Sequence, residues 1–205
     1  MNHVTNSIHK GRKFDQVIEG ARDVFLRDGY EGANVDDIAS AAGVSKATLY
    51  NYFPDKRALF LEVFSIHCRE QADQAFDLNA ANLPIRDLLT IGAELMVRFF
   101  VSPFSQGIHQ IAMGEAERFP ELAREVYRTG PLLGKQRIIM VLETAIQRGD
   151  LIIDDLDLAA EQMAALCKAD LWVRVSFKVT ATPTEAEIKR VVDGAVEMFL
   201  ARYGA

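Results

Sequence analysis

The stretch that most restricts the fold is "VDDIASAAGVSKATLYNYFPDKRALF", residues 35–60. Asn34 caps a short helix, with Asp37 three residues on in the manner of a capping box, and Val35, Ile38, Ala39 and Ala42 form its inner face. Gly43 ends that helix in a tight turn. Ser45 caps a second short helix running to about Tyr52, and Pro54 with Asp55 opens a longer one through Leu59, Val63, Ile66 and Ala75. Two short helices joined by a glycine turn form a helix-turn-helix, whose second helix enters the DNA major groove by its first residues.

The spacing of apolar residues predicts helices throughout. Phe14, Val17, Ile18, Ala21, Val24 and Phe25 make one stripe from Lys10 to Asp28, and Gly29 supplies the stop. Beyond residue 80, helices are expected near 84–101, 104–117, 121–147 with an interruption at Gly130 and Pro131, 155–178 and 184–203, giving an all-α chain of about nine helices. The one seam is "DLNAANLP", residues 77–84, in the polar tail of the fourth helix. The expected division is an arm and helix-turn-helix domain over 1–57 and a second helical domain over 58–205.

With 49% hydrophobic residues in 205, the chain can build a sizeable core. There is no run of about 18 apolar residues, nor an apolar segment behind the first charges, so a cytoplasmic protein without a membrane partner is expected. Cys68 and Cys167 lack metal-knuckle spacing and are expected as buried thiols. The net charge of −6 excludes a protein that coats nucleic acid non-specifically, though not a local basic site.

Leu49 and Phe53, four apart, should anchor the second short helix into a core of Phe14, Phe25, Ile38 and Leu59. Lys46 can donate to guanine O6 and N7, Ala47 and Thr48 can offer methyls to thymine, and Tyr50 and Tyr52 can donate hydroxyls to phosphates. The alternative for the tyrosines is that they cover the first helix, and for Lys46 and Asn51 that they are solvated polar residues.

The glycine turn, the leucine-tyrosine-x-aromatic-phenylalanine run and the lysine at the next helix start resemble the tetracycline-repressor (TetR) family of transcription factors, closest over 12–60. "GEAERFPELAREVYRTG" (114–130) and "LDLAAEQM" (156–163) resemble its AefR-like C-terminal branch. The resemblance implies a DNA-facing surface of Asn34, Ser45, Lys46, Ala47, Thr48, Tyr50, Asn51 and Tyr52, with Lys56 meeting phosphate. One departure is Asp36 and Asp37 near the start of the first short helix. Residues 1–57 hold eight basic and eight acidic side chains, so the basic arm of Lys10, Arg12 and Lys13 carries more of the phosphate attraction than usual.

The same resemblance implies an effector pocket and a dimer interface in the C-terminal half. Phe64, His67, Cys68, Met96, Phe99, Phe100, Phe104, His109, Met113 and Trp172 are the pocket candidates, being polar groups or large apolar residues in an apolar setting. Arg98 and Gln110 are further polar candidates. Ile188, Val191, Val192, Ala195 and Phe199 line one stripe of the last helix, which together with "LAAEQMAALCKADLWVRV" (158–175) is expected to form a four-helix interface between two copies. No metal is expected, because His3 and His9 sit in the arm and His67 and His109 have no partner three or four residues on. Glu115 and Glu117 point about 200° apart on a helix and cannot serve one substrate.

The expected function is a homodimeric, ligand-responsive repressor, without cofactor, on double-stranded palindromic operator DNA, released by a small apolar or amphiphilic effector. Two rivals are an enzyme using the C-terminal half, for which no nucleophile, base and orienter converge in the sequence, and a protein-interaction module with a vestigial helix-turn-helix.

Overall fold

The computed structural model describes residues 11–79 and 83–205, with the side chains of 70–79 left aside. Lys10, His3, His9, the side chain of Ala75 and residues 80–82 of the expected seam lie outside what is described. The helices in the described residues are α1 (Arg12–Gly32), α2 (Val35–Ala41), α3 (Lys46–Tyr52), α4 (Lys56–Asn79), α5 (Ile85–Val101), α6 (Pro103–Gly114), α7 (Pro120–Thr129), α8 (Pro131–Gln147), α9 (Leu156–Leu166), α10 (Leu171–Ser176) and α11 (Glu185–Tyr203). No strand forms among them; Leu151 and Gly204 make an isolated bridge.

The all-α expectation holds, the expected interruption at Gly130 is present, and one further expected helix is divided. Gly130, at φ −111° and ψ −87°, separates α7 from α8. The segment expected as one helix over 155–178 breaks because Asp170 adopts φ 61°, a left-handed conformation that a helix cannot continue through. α1 is broken at Gly29, whose φ of 74° glycine accepts without strain.

The chain divides into two compact units, one of Met1–Ile66 with Ile111–Val126, the other of His67–Gln110 with Tyr127–Ala205. The 57/58 boundary of the sequence reading falls inside the first.

In the first unit α1 crosses α2 so closely that a Cβ at Gly20 would lie 2.6 Å from the Ala42 backbone nitrogen. Phe14, Val17, Phe25, Ile38, Leu49, Phe53, Leu59 and Phe60 fill its core. Phe25 and Phe60 meet edge to face at 5.1 Å, and Tyr30 packs on both.

In the second unit α11 lies along α5, and α8 along α9. The core joins Leu89, Ala93 and Val97 of α5, Leu142 of α8 and Ala159, Ala160 and Met163 of α9 to the inner face of α11. That inner face is Ile188, Val191, Val192, Ala195 and Phe199, between 1% and 7% exposed. This corrects the assignment of those five residues to a dimer interface. Their stripe is consumed inside one chain, and side chains so deeply buried have almost no surface to offer a second copy.

Candidate nucleic-acid interface

The turn and α3 are built by local hydrogen bonds. Asn34 Oδ1 accepts the Asp37 backbone N–H at 2.8 Å and its Nδ2 donates to Asp37 Oδ2, so both ends of the amide serve the start of α2. Gly43 turns the chain at φ 64°. Ser45 Oγ accepts the Thr48 N–H at 3.1 Å and lies 2.8 Å from Thr48 Oγ1, capping α3. Asp55 Oδ1 accepts the Ala58 N–H at 2.7 Å and caps α4.

α3 divides its residues between two surroundings. Leu49 is fully buried, and Phe53, one residue beyond the helix in extended conformation, is 4% exposed. Ser45, Lys46, Ala47, Tyr50 and Asn51 are exposed, while Thr48 and Tyr52 are half-buried. Tyr52 packs edge-on against Phe14 of α1 at 5.7 Å. Of the two tyrosines, then, one covers the first helix and the other stands in solvent.

Charge on this surface is already engaged. The Lys46 ammonium sits 2.9 Å from Asp36 Oδ1 of α2 and donates to Oδ2 at 3.1 Å, and that hydrogen bond, with the carboxylate charge, raises its pKa. Arg27 holds Asp28 through two hydrogen bonds. Lys56 donates to the backbone carbonyls of Ala33 at 2.9 Å and Glu31 at 3.2 Å, and its ammonium stands 4.8 Å from the centre of the Tyr30 ring. The lysine expected to meet phosphate thus also closes the carbonyl end of α1, as cations near helix C-termini do.

Neither the Asp36–Lys46 pair nor the Lys56 capping was read from the sequence. The partners lie 10 and 23 or 25 positions apart, and no helical period links them.

Of the pocket candidates, the second unit brings several together. The His67 ring lies 4.0 Å from Phe104 and stacks at 5.9 Å on Phe99, which in turn touches Phe100. His109 of α6 meets Trp172 of α10 edge-on at 5.1 Å. Met96 packs against the α11 core. Cys68 is buried, and burial pushes its thiol up to about 12, as it does for Cys167. Phe64 and Met113 belong to the first unit, Phe64 buried and Met113 66% exposed. Arg98 is taken by Glu94 and Glu185. Among the described residues no group of three or more His, Cys, Asp or Glu could hold a metal ion, and no single helix is long and apolar enough to cross a membrane.

A capped, glycine-turned pair of short helices presenting Lys46, Ala47, Tyr50 and Asn51, followed by a second all-helical unit, defines the class of helix-turn-helix DNA-binding proteins with a C-terminal helical domain. Residues 17–63 match the family described as bacterial regulatory proteins, tetR family, and residues 87–205 match the AefR-like transcriptional repressor C-terminal domain. The chain belongs to the TetR family of bacterial transcriptional regulators. Its homologues and its fold are those of regulators and not of enzymes.

It is 29% identical over 125 residues to the HTH-type transcriptional activator FasR of Mycolicibacterium smegmatis, covering 61% of this chain and 57% of that one. A Bacillus subtilis regulator, YhgD, is 31% identical over 71 residues, 35% of this chain and 37% of its own. The aligned stretches therefore span little more than half of these curated relatives, or less. Among solved structures, a TetR-family regulator of Mesorhizobium loti superposes with TM-score 0.87 at 25% identity, covering 97% of this chain and all (100%) of that one. The flavonoid-responsive regulator FrrA superposes with TM-score 0.73 at 32% identity, covering 95% of this chain and 98% of its own.

Proposed function

We propose that the protein is a homodimeric repressor that binds a palindromic operator through α3 and leaves it when a small apolar or amphiphilic effector binds the C-terminal domain. The observation that carries this reading is the exposed face of α3, where Lys46, Ala47, Tyr50 and Asn51 follow a capped glycine turn. Lys46, Ala47, Thr48 and Asn51 read bases; Tyr50, Tyr52 and Lys56 meet the backbone, with Asn34 and Ser45 fixing the helix starts beside it. Repression is favoured by relatives named as a transcriptional repressor, AcnR of Corynebacterium diphtheriae, and as a negative transcriptional regulator, IcaR of Staphylococcus aureus. That FrrA is flavonoid-responsive and that a fold neighbour, FadR of Bacillus subtilis, is in complex with stearoyl-CoA support an apolar or amphiphilic effector here. The effector acts by binding one arrangement of the dimer better than the other.

Because the inner stripe of α11 is occupied, we assign pairing to apolar side chains left outside on α9, α10 and α11: Leu158, Val173, Phe177 and Met198, with Phe177 78% and Met198 63% exposed. Two copies related by a two-fold axis then read two half-sites. Cytoplasmic location and the division at 57/58 into DNA-binding and effector domains belong to the same proposal. The test is a mobility-shift titration on the DNA upstream of the protein's own gene at several salt concentrations. Sequence-specific, salt-sensitive binding is expected; binding indifferent to sequence, or none, overturns the reading.

A further inference from the structure

In the second unit a cation sits against an aromatic ring without an acid to match it. Lys168, half-buried in the turn after α9, holds its ammonium 4.8 Å from the centre of the Phe100 ring, and no carboxylate is paired with it among the described residues. A lysine ammonium that no carboxylate holds gains from an anion that reaches it. His109, exposed on α6, has its imidazole held below its ordinary range first by the partial burial of the ring and then by the charge of Lys168. His109 in turn lies edge-on to Trp172 at 5.1 Å.

The segments that carry these rings are joined by a hydrogen-bonded clip. Gln106 is a buried polar residue, 6% exposed. Its Nε2 donates to the Phe100 carbonyl at 2.7 Å, and its Oε1 accepts from Ser176 Oγ at 2.8 Å. The Ser176 hydroxyl is also 2.7 Å from the Trp172 carbonyl. One side chain thus ties the end of α5, α6 and α10, the segments that carry Phe100, His109 and Trp172, together.

We propose that Lys168, with Phe100, His109 and Trp172, recognises an apolar aromatic acid carrying a single carboxylate, an assignment that rests on the effector reading above. The carboxylate pairs with the ammonium while the flat apolar body lies against the rings. One cation suits a monoanion; a phosphate dianion calls for a second positive charge or a fork of donors, and a cationic ligand is repelled by Lys168.

The chain has one tryptophan, so Trp172 fluorescence reports on this cluster alone. The probes are 3-phenylpropionate and its neutral counterpart 3-phenylpropan-1-ol, titrated against the full-length protein. We expect saturable quenching with the acid bound at least about tenfold more tightly than the alcohol. Lys168→Gln should bring the acid down to the alcohol's affinity and leave the alcohol unchanged, while Lys168→Arg keeps the preference and controls for folding. Equal binding of acid and alcohol by the native protein, a preference that survives Lys168→Gln, or no saturable binding of either probe overturns the assignment. A parallel mobility shift separates the two readings: acid binding without operator release removes the effector role and leaves the site, whereas operator binding without acid binding removes the site and leaves the DNA-binding role.

Discussion

α3 and α11 are both amphipathic, and they use their apolar stripes differently. In α3 the stripe is short, and Leu49 goes into the core beside it while Tyr50, one position on, is 46% exposed. In α11 the stripe is long enough to serve a core or a second copy, and it serves the core: Phe199 is 1% exposed while Met198, its neighbour, is 63% exposed. Periodicity identifies which face of a helix is buried and is silent on what buries it. For α3 that silence is harmless, because the capped turn leaves one place for Leu49 to go. For α11 it matters, because α5 and α9 lie far away in sequence.

Substitution of these neighbours can break the comparison. Phe199→Ala opens a cavity in the second unit's core and should cost about 3–5 kcal/mol of unfolding free energy in urea. Met198→Asp should leave that unfolding profile nearly untouched and shift the protein towards monomer in sedimentation. If Phe199→Ala instead gave a well-folded monomer and Met198→Asp an unstable protein, the roles of the two faces would be reversed. In the first unit, Gly20→Ala forces a methyl onto the Ala42 backbone, which cannot rotate aside. A loss of about 1–3 kcal/mol is expected, and full native stability would mean that α1 and α2 are further apart than described.

The surface of α3 yields smaller, more selective effects. Lys46→Ala should weaken operator binding about tenfold to a hundredfold and relax preference at one base position, without moving Tm. Asp36→Asn releases Lys46 and removes a negative charge from the DNA-facing side, so binding should tighten several-fold and its salt dependence should steepen. Unchanged affinity after Asp36→Asn would mean that the pair dissolves at no cost when DNA arrives. Lys56→Ala differs from both, since its ammonium also binds the Ala33 and Glu31 carbonyls: it should weaken all DNA sequences alike and lower Tm by a few degrees.

What the sequence made legible follows from the range over which each feature is decided. Asn34 and Ser45 cap helices three residues away, Gly43 and Gly29 supply the positive φ their turns need, and Leu49 packs beside its own turn; all can be read within one short window. Asp170 broke an expected helix because aspartate, unlike glycine, is not marked by composition for left-handed backbone. Arg174 pairs with Asp170 from four residues on, but Arg190, 20 residues on, becomes its neighbour only once the chain has turned. The Asp36–Lys46 and Lys56–Ala33 contacts, like the burial of α11, depend on tertiary placement that no local period encodes.

The caps of the two helices also differ in what pH can do to them. α3 is capped by the Ser45 hydroxyl alone, which does not titrate in water. α11 begins with a reciprocal box: Thr184 Oγ1 accepts the Glu187 N–H, and Glu187 Oε2 accepts from the Thr184 N–H at 2.8 Å and its hydroxyl at 2.9 Å. Those bonds, with Arg174 at 2.9 Å, hold the Glu187 carboxyl down at about 2 against an ordinary value of 4.5. A carboxylate whose pKa is lower in the folded chain contributes stability that is complete above about pH 4.5 and is lost as pH falls towards 2. Glu187 is solvent-accessible, so the effect is modest and screened by salt. Glu187→Gln should therefore flatten the fall in Tm between pH 4.5 and pH 2, whereas Ser45→Ala should lower Tm by the same amount at every pH. A Glu187→Gln profile as steep as the native one would place the acid sensitivity elsewhere, with Glu185, whose pKa is also lowered by its hydrogen bond from Arg98, as the next carboxylate to replace.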